Sequence, residues 1–332
     1  MTDEIPKCVP FEGEDKELAR KHVPIHENGF VKVGENKWTM PYNFLEKGPA
    51  VYNIKPRPDD TWVATYPRSG TTWTLELVWL VVNDMNFEGA KSQSLHHRFP
   101  FVDLDLIVSH YNPKESEIID ADAPKLNPEF IDSLPSPRFI KTHMPFDLLP
   151  NLLDSGCKVV YVARNPKDMV VSWYNFYKDM KELSFQGSFE DFCEYFMKDL
   201  CIYSPYWKHL KDAWAERHRP NLLYIFYEEL KNDMPGTIKR VAEFFGKSYS
   251  DEQIAKLADH LQIDNFRKNP MVNSPAPKKY EALKPSLFIR QGKVGGWKEL
   301  FTPELNAKFD AWIKENLKDT DFAFPVNVVQ GK

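Results

Sequence analysis

Residues Trp62 to Trp73 read WVATYPRSGTTW, and the run continues TLELVWLVV to Val82. Trp62–Tyr66 is rich in β-branched and aromatic residues and predicts a buried strand, while Thr71–Asp84 predicts a helix. A strand that turns into a helix through Pro67-Arg68-Ser69-Gly70 leaves the first helical amides free as donors, with the positive end of the helix behind them. Gly70 lets the backbone approach a ligand closely. The hydroxyls of Ser69, Thr71 and Thr72 add donors, and Arg68 adds a permanent cation in a planar fork. The same residues also suit a plain turn with a threonine-capped helix, so the loop by itself leaves both readings open. It is not the GxxxxGK[ST] loop of nucleotide kinases, because the second glycine and the lysine are missing.

Outward from this segment the pattern repeats. Arg138–Thr142, Lys158–Ala163 and Leu222–Phe226 lack the alternation of half-wet strands and predict buried ones. Helices are expected over Pro166–Met180, Phe189–Lys198, Tyr206–Glu216, Gly236–Phe245, Asp251–Leu261 and Pro303–Leu317. Strands separated by helices imply right-handed crossovers. The predicted fold is α/β, a single domain with a central parallel β-sheet flanked by helices and the topology of P-loop kinases. Residues 1–48, polar but dotted with Trp38, Tyr42 and Phe44, are expected to form an arm packed on the domain of residues 49–325. Ligands of such sheets bind beyond the carboxyl ends of the strands. Those ends carry Arg68 and its loop, Lys141-Thr142-His143, Arg164-Asn165-Pro166 and Tyr227-Glu228-Glu229.

Composition agrees with a soluble globular protein. Of 332 residues, 42% are hydrophobic and 27% charged, which excludes disorder, collagen-like repeats and coiled coil. The net charge of −5 gives no sign of a nucleic-acid partner. Cys8, Cys157, Cys193 and Cys201 show neither a CxxC pair nor metal-ligand spacing, so no metal is expected and the cysteines read as reduced thiols. The N-terminal residues show no cationic-then-apolar leader, and the longest apolar run, Leu77–Val82, is too short to cross a bilayer. The expectation is a cytoplasmic protein with no membrane partner.

Thr65-Tyr66-Pro67-Arg68-Ser69-Gly70-Thr71-Thr72-Trp73 resembles the 5′-phosphosulfate loop TYPKSGTTW of the cytosolic sulfotransferases. Lys141-Thr142-His143-Met144-Pro145 is similar to KTHLP, and Tyr161 to Asp168 with Ser172 resembles YVARNPKDxxxS. Phe226-Tyr227-Glu228-Glu229 looks like FYED, and Arg290 to Lys298 is similar to RKGxxGDWK. Together with Arg57-Pro58-Asp59-Asp60, the resemblance runs from about Arg57 to Thr302 in one register.

The resemblance implies transfer of the sulfuryl group of 3′-phosphoadenosine 5′-phosphosulfate (PAPS) to a hydroxyl of a small lipophilic acceptor, leaving adenosine 3′,5′-bisphosphate (PAP). It makes His143 the base, places Lys141 near the transferring group, and puts Arg68 where the family carries a lysine that steadies the bridging oxygen. Arginine stabilises charge but is a poor proton donor. It assigns Arg164, Ser172 and Arg290-Gln291-Gly292 to the 3′-phosphate, with Gln291 replacing a lysine, and Trp73 and Tyr227 to adenine. Leu261 and Ile263 replace a threonine and a phenylalanine near that base. Phe101, Phe146 and Phe176 would line the acceptor pocket, covered by the proline-rich stretch Met271–Phe288. Aromatic walls favour a phenol, a steroid or an isoprenoid or retinoid alcohol. The family's dimer motif KxxxTVxxxE keeps Lys298 and Thr302 here but has Pro303 and Ala307 for valine and glutamate, so a homodimer is left open. The competing expectations are a PAPS or PAP binder without turnover, motivated by Arg68 and Gln291, and a kinase-like phosphotransferase. Sulfation as one step of another reaction, such as dehydration of an allylic alcohol, is a further one.

Overall fold

In a computed structural model, β4 (Thr61–Thr65), β5 (Phe139–Thr142), β6 (Lys158–Ala163) and β7 (Leu222–Phe226) form a parallel sheet in the order β5-β4-β6-β7. Residues 5–24, 29–108, 127–179, 183–272, 292 and 294–325 are described. Thr61 pairs with Phe139 on one side and Lys158 on the other, so β4 lies between the second and third strands in chain order. The chain therefore leaves β4 toward opposite sides, and the crevice beyond its carboxyl end falls where such sheets bind ligands. Pro100 to Val102 extends the sheet beside β5, with Lys141 donating to the Pro100 carbonyl and accepting from Val102.

Both faces of the sheet are covered. Trp62 and Ala64 belong to one buried cluster and Val63 to the other, as the strand's period of two requires. Helices Thr71–Val82 and Met234–Phe244 pack on the Val63 side. That continuous burial explains why the strands read as unbroken apolar runs. At the opposite edge of the sheet from the crevice, Arg138 grips Asp60 through Nε and Nη2 at 2.8 and 2.6 Å, both side chains fully buried. Arg138, expected to begin the second strand, anchors it from just outside.

Lys158–Ala163, Leu222–Phe226 and Pro303–Leu317 fall where expected, and the other expected elements differ from the observed ones by one or two residues at their ends, where assignments shift most easily. Residues 1–48 are the exception. Their polar composition suggested no strands, yet β1 (Cys8–Pro10), β2 (Phe30–Val33) and β3 (Trp38–Pro41) form an antiparallel sheet. Three or four residues are too few to show a period, and their stability comes from burial: Phe30, Trp38 and Phe44 join the same core as Trp62. Short helices at Phe87–Ser92, Leu95–Arg98 and Leu104–Val108 are likewise too brief to show a period in the sequence. Among the described residues no helix is long and apolar enough to cross a membrane.

Candidate active site

The loop after β4 is held in a strained shape. Arg68 has φ = 66° and Gly70 φ = 101°. The first of these costs a side-chain-bearing residue about 1 kcal/mol and is retained only where surroundings enforce it. Arg164, at the end of β6, does so by donating from Nη1 to the Arg68 carbonyl at 3.0 Å. Gly70 is required by contact as well as by φ: a Cβ there would lie 2.6 Å from Cδ2 of Tyr227. Tyr227 cannot retreat easily, since the Arg164 guanidinium lies 4.1 Å from its ring centroid and Trp73 packs at 5.8 Å.

Because Gly70 is the N-cap of helix Thr71–Val82, no side chain caps that helix, and its first turn holds no acidic residue. The hydroxyl of Ser69 is fully buried and has no hydrogen-bond partner among the described residues. An orphaned donor beside uncapped amides fits an anionic group in this loop. Arg68 reaches across to helix Pro166–Asp179, where Nε donates to Ser172 Oγ at 3.0 Å and the guanidinium lies 5.0 Å from the Phe176 ring. Ser172 sits nearly two turns into that helix, as its spacing from Arg164 implies. Trp73 Nε1 donates to the Leu261 carbonyl at 2.8 Å, and a Cβ on Gly292 would crowd Ile263 at 2.9 Å. Leu261 thus packs beside the loop and Ile263 beside Gly292, with residues 294–297 the next described segment. Asp168 ties that segment down by accepting from the amides of Gly295 (2.7 Å) and Trp297 (3.1 Å).

His143 follows β5, two residues beyond Lys141. Its Nδ1 lies 2.9 Å from the Thr65 carbonyl and 3.0 Å from Thr65 Oγ1. A carbonyl oxygen only accepts, so Nδ1 carries the proton and Nε2 keeps its lone pair. Burial, and then the Lys141 charge, push the imidazole well below its usual range, so the ring is neutral at physiological pH. Burial also lowers the Lys141 ammonium to about 8. Its Nζ lies 3.9 Å from the centroid of Phe101, whose ring is 5.1 Å from that of His143. Phe146 packs edge-on against Tyr161, whose hydroxyl meets His209 Nδ1 at 2.7 Å; His209 Nε2 donates in turn to the His143 carbonyl.

Four participants were given no role by the sequence. Thr65 joins the two halves, its hydroxyl lying 2.7 Å from Thr71 Oγ1 as well as against His143. A lone hydroxyl within WVATY was the available signal. Asp103, pushed up to about 6 by burial, accepts from Thr142, Tyr203 and the His143 amide. An acid two residues after Phe101, among apolar neighbours, hinted at it. Tyr203 had no local signal. Glu228, raised to about 7 by burial, accepts the Asn165 amide at 2.8 Å and fixes the turn after Arg164. Arg290 and Gln291 lie outside the described residues, as does the stretch Met271–Phe288 beyond Val272. Thr302 caps helix Pro303–Leu317 by accepting from the Leu305 amide, with Pro303 in the first turn. That is a local use for two residues at the dimer motif's position.

The sulfotransferase domain family matches residues 58–321. The chain belongs to the sulfotransferase family. This sulfotransferase is 33% identical over 307 residues to luciferin sulfotransferase of Photinus pyralis, covering 89% of this chain and 81% of that one. It is 34% identical over 283 residues to sulfotransferase 1A1 of Rattus norvegicus, covering 85% and 92%. Among solved structures, retinol dehydratase in complex with retinol and PAP is similar at 36% identity and a TM-score of 0.86, covering 97% of this chain and all of that one. The same enzyme has been crystallised with androsterone and PAP, with 97% of this chain and 99% of that one covered.

Proposed function

We propose that this sulfotransferase moves the sulfuryl group of PAPS to the hydroxyl of a small lipophilic alcohol or phenol, with His143 as the base. Thr65 carries this reading: one residue contacts both the first turn of the anion-binding helix and the proton-bearing nitrogen of His143. The phosphate loop and the base are thereby locked side by side, which is what in-line transfer between a bound nucleotide and an acceptor needs.

PAPS is the co-substrate, and the loop from Arg68 to Trp73 with Arg164, Ser172 and Tyr227 would hold its nucleotide part. The acceptor oxygen bonds to sulfur while the bond from sulfur to the 5′-phosphate oxygen breaks, and the hydroxyl proton passes to His143 Nε2. Lys141 and Arg68 offset the charge growing on the leaving phosphate. Arginine suffices for that, because the leaving group departs as an anion and needs no proton. Phe101 and Phe176, each against a catalytic cation, form apolar walls suited to a hydrophobic ring.

Transfer of labelled sulfate from PAPS to phenols, steroids and retinoid alcohols tests the reading. Acceptor-dependent product is expected; nucleotide binding with no product from any acceptor would favour a binder without turnover. Similarity to retinol dehydratase over 97% of this chain supports a second outcome for allylic alcohols, in which the sulfate ester is a leaving group. Release of inorganic sulfate with a dehydrated hydrocarbon, in place of the ester, identifies it.

A further inference from the structure

We propose that Asp103, together with Tyr203, is the positioning residue for His143 in the sulfuryl-transfer reaction. The inference rests on His143 being the base. Asp103 is fully buried, and its carboxylate accepts from three parts of the chain: the Thr142 hydroxyl at 2.9 Å, the His143 amide at 3.1 Å and the Tyr203 hydroxyl at 2.6 Å. None of these hydrogen-bond donors is a cation; the Lys141 charge acts on the carboxylate without bonding to it. A buried carboxylate satisfied by neutral donors alone is a costly way to hold a strand end, where an amide or hydroxyl would serve.

Its position explains that cost. Asp103 follows the Phe101 wall by two residues and grips His143 by the backbone, while Thr65 holds Nδ1 of the ring. The imidazole is then confined between Phe101 at 5.1 Å and Tyr203 at 5.7 Å. Tyr203 has φ = 69°, a conformation unfavourable for a residue with a side chain. It is pinned there by β3, since its amide donates to the Thr39 carbonyl and the Thr39 amide to that of Ser204. Once His143 takes the acceptor's proton it becomes a cation near Lys141 and Arg68, both of which oppose that charge. Asp103 offsets the Lys141 charge that opposes this cation and holds the His143 amide at the same time.

Asp103→Asn keeps the shape and removes the charge. At pH 7.5 it should lower kcat about 10- to 100-fold while acceptor KM changes by less than about threefold. PAP affinity by calorimetry should stay within about twofold of wild type, because the nucleotide loop is untouched. A purely structural role would move affinity and Tm together with kcat. Wild-type kcat, or a kcat loss matched by an equal loss of PAP affinity, overturns the proposal. Should Asp103→Asn fail to fold, Tyr203→Phe decides alone: it removes one donor to the same carboxylate and should cost about 3- to 10-fold in kcat, with no loss overturning the idea. His143→Ala run alongside separates the two claims. If that variant turns over normally, the base assignment fails; if it is dead while Asp103→Asn is normal, only the positioning role fails.

Discussion

The proposed nucleotide loop and the pocket around the proposed base, His143, lie on either side of Thr65, yet they are built differently. The loop is made of consecutive residues whose backbone does the work: uncapped amides, a left-handed Arg68 and a glycine against Tyr227. The base pocket is made of side chains from distant segments, with Thr65, Phe101, Asp103, His143 and Tyr203 converging on one imidazole. The loop, braced by Arg164 and Ser172, can bind its ligand without the pocket around His143, whereas a convergent pocket fails as a unit. Substitutions should therefore separate binding from turnover cleanly.

The largest effect is expected at the proposed base. His143→Ala should reduce transfer by about 10²- to 10⁴-fold and leave PAP affinity nearly unchanged in calorimetry. Comparable losses of affinity and rate would show the two regions to be one unit. On the other side, Arg164→Ala removes a cation and also frees the Arg68 carbonyl, so PAP affinity should fall about 10- to 100-fold. Normal binding by that variant would remove Arg164 from the nucleotide site.

Glu228 sharpens the contrast from the turn after Arg164, where it accepts the Asn165 amide. Its carboxyl is raised in the folded protein from 4.5 to about 7. The charged form is then a burden above that range, one that disappears on acidification once the folded and unfolded states are both protonated. Glu228→Gln should therefore be more stable than wild type at pH 8, by about 3 kcal/mol at most, with the gap closing as pH falls toward the ordinary glutamate range. Thermal melts of both proteins across that window check the sign; a gap that widens on acidification would contradict the buried, neutralised state. The smallest change is Arg68→Lys. Lysine cannot keep the Nε bond to Ser172 and the contact with Phe176 together, so PAP affinity should drop about 3- to 10-fold with kcat held within about threefold. A larger kcat gain would mean that arginine handicaps the chemistry.

Legibility in the sequence follows the same division. Pro67 to Trp73, Lys141 to His143 and Arg164 to Ser172 were readable because each is a short run at a strand end, and buried parallel strands announce themselves as apolar runs. Tyr203 was not, and Asp103 only faintly, since apolar neighbours hint at burial but do not show which three donors an acid will accept from. The small sheet of residues 8–41 was hidden for a related reason: its strands are shorter than any period, and their partners lie in the core formed later in the chain.

By itself the sequence determined the strand–loop–helix unit, the parallel α/β class and the sulfotransferase motifs in order, because these depend on residues close together in the chain. Only the tertiary structure decided the tautomer of His143, the buried charge of Asp103, the reach of Arg68 to Ser172 and the strain at Tyr203. Each of those depends on which groups are brought within hydrogen-bonding distance after burial has removed water as the alternative partner.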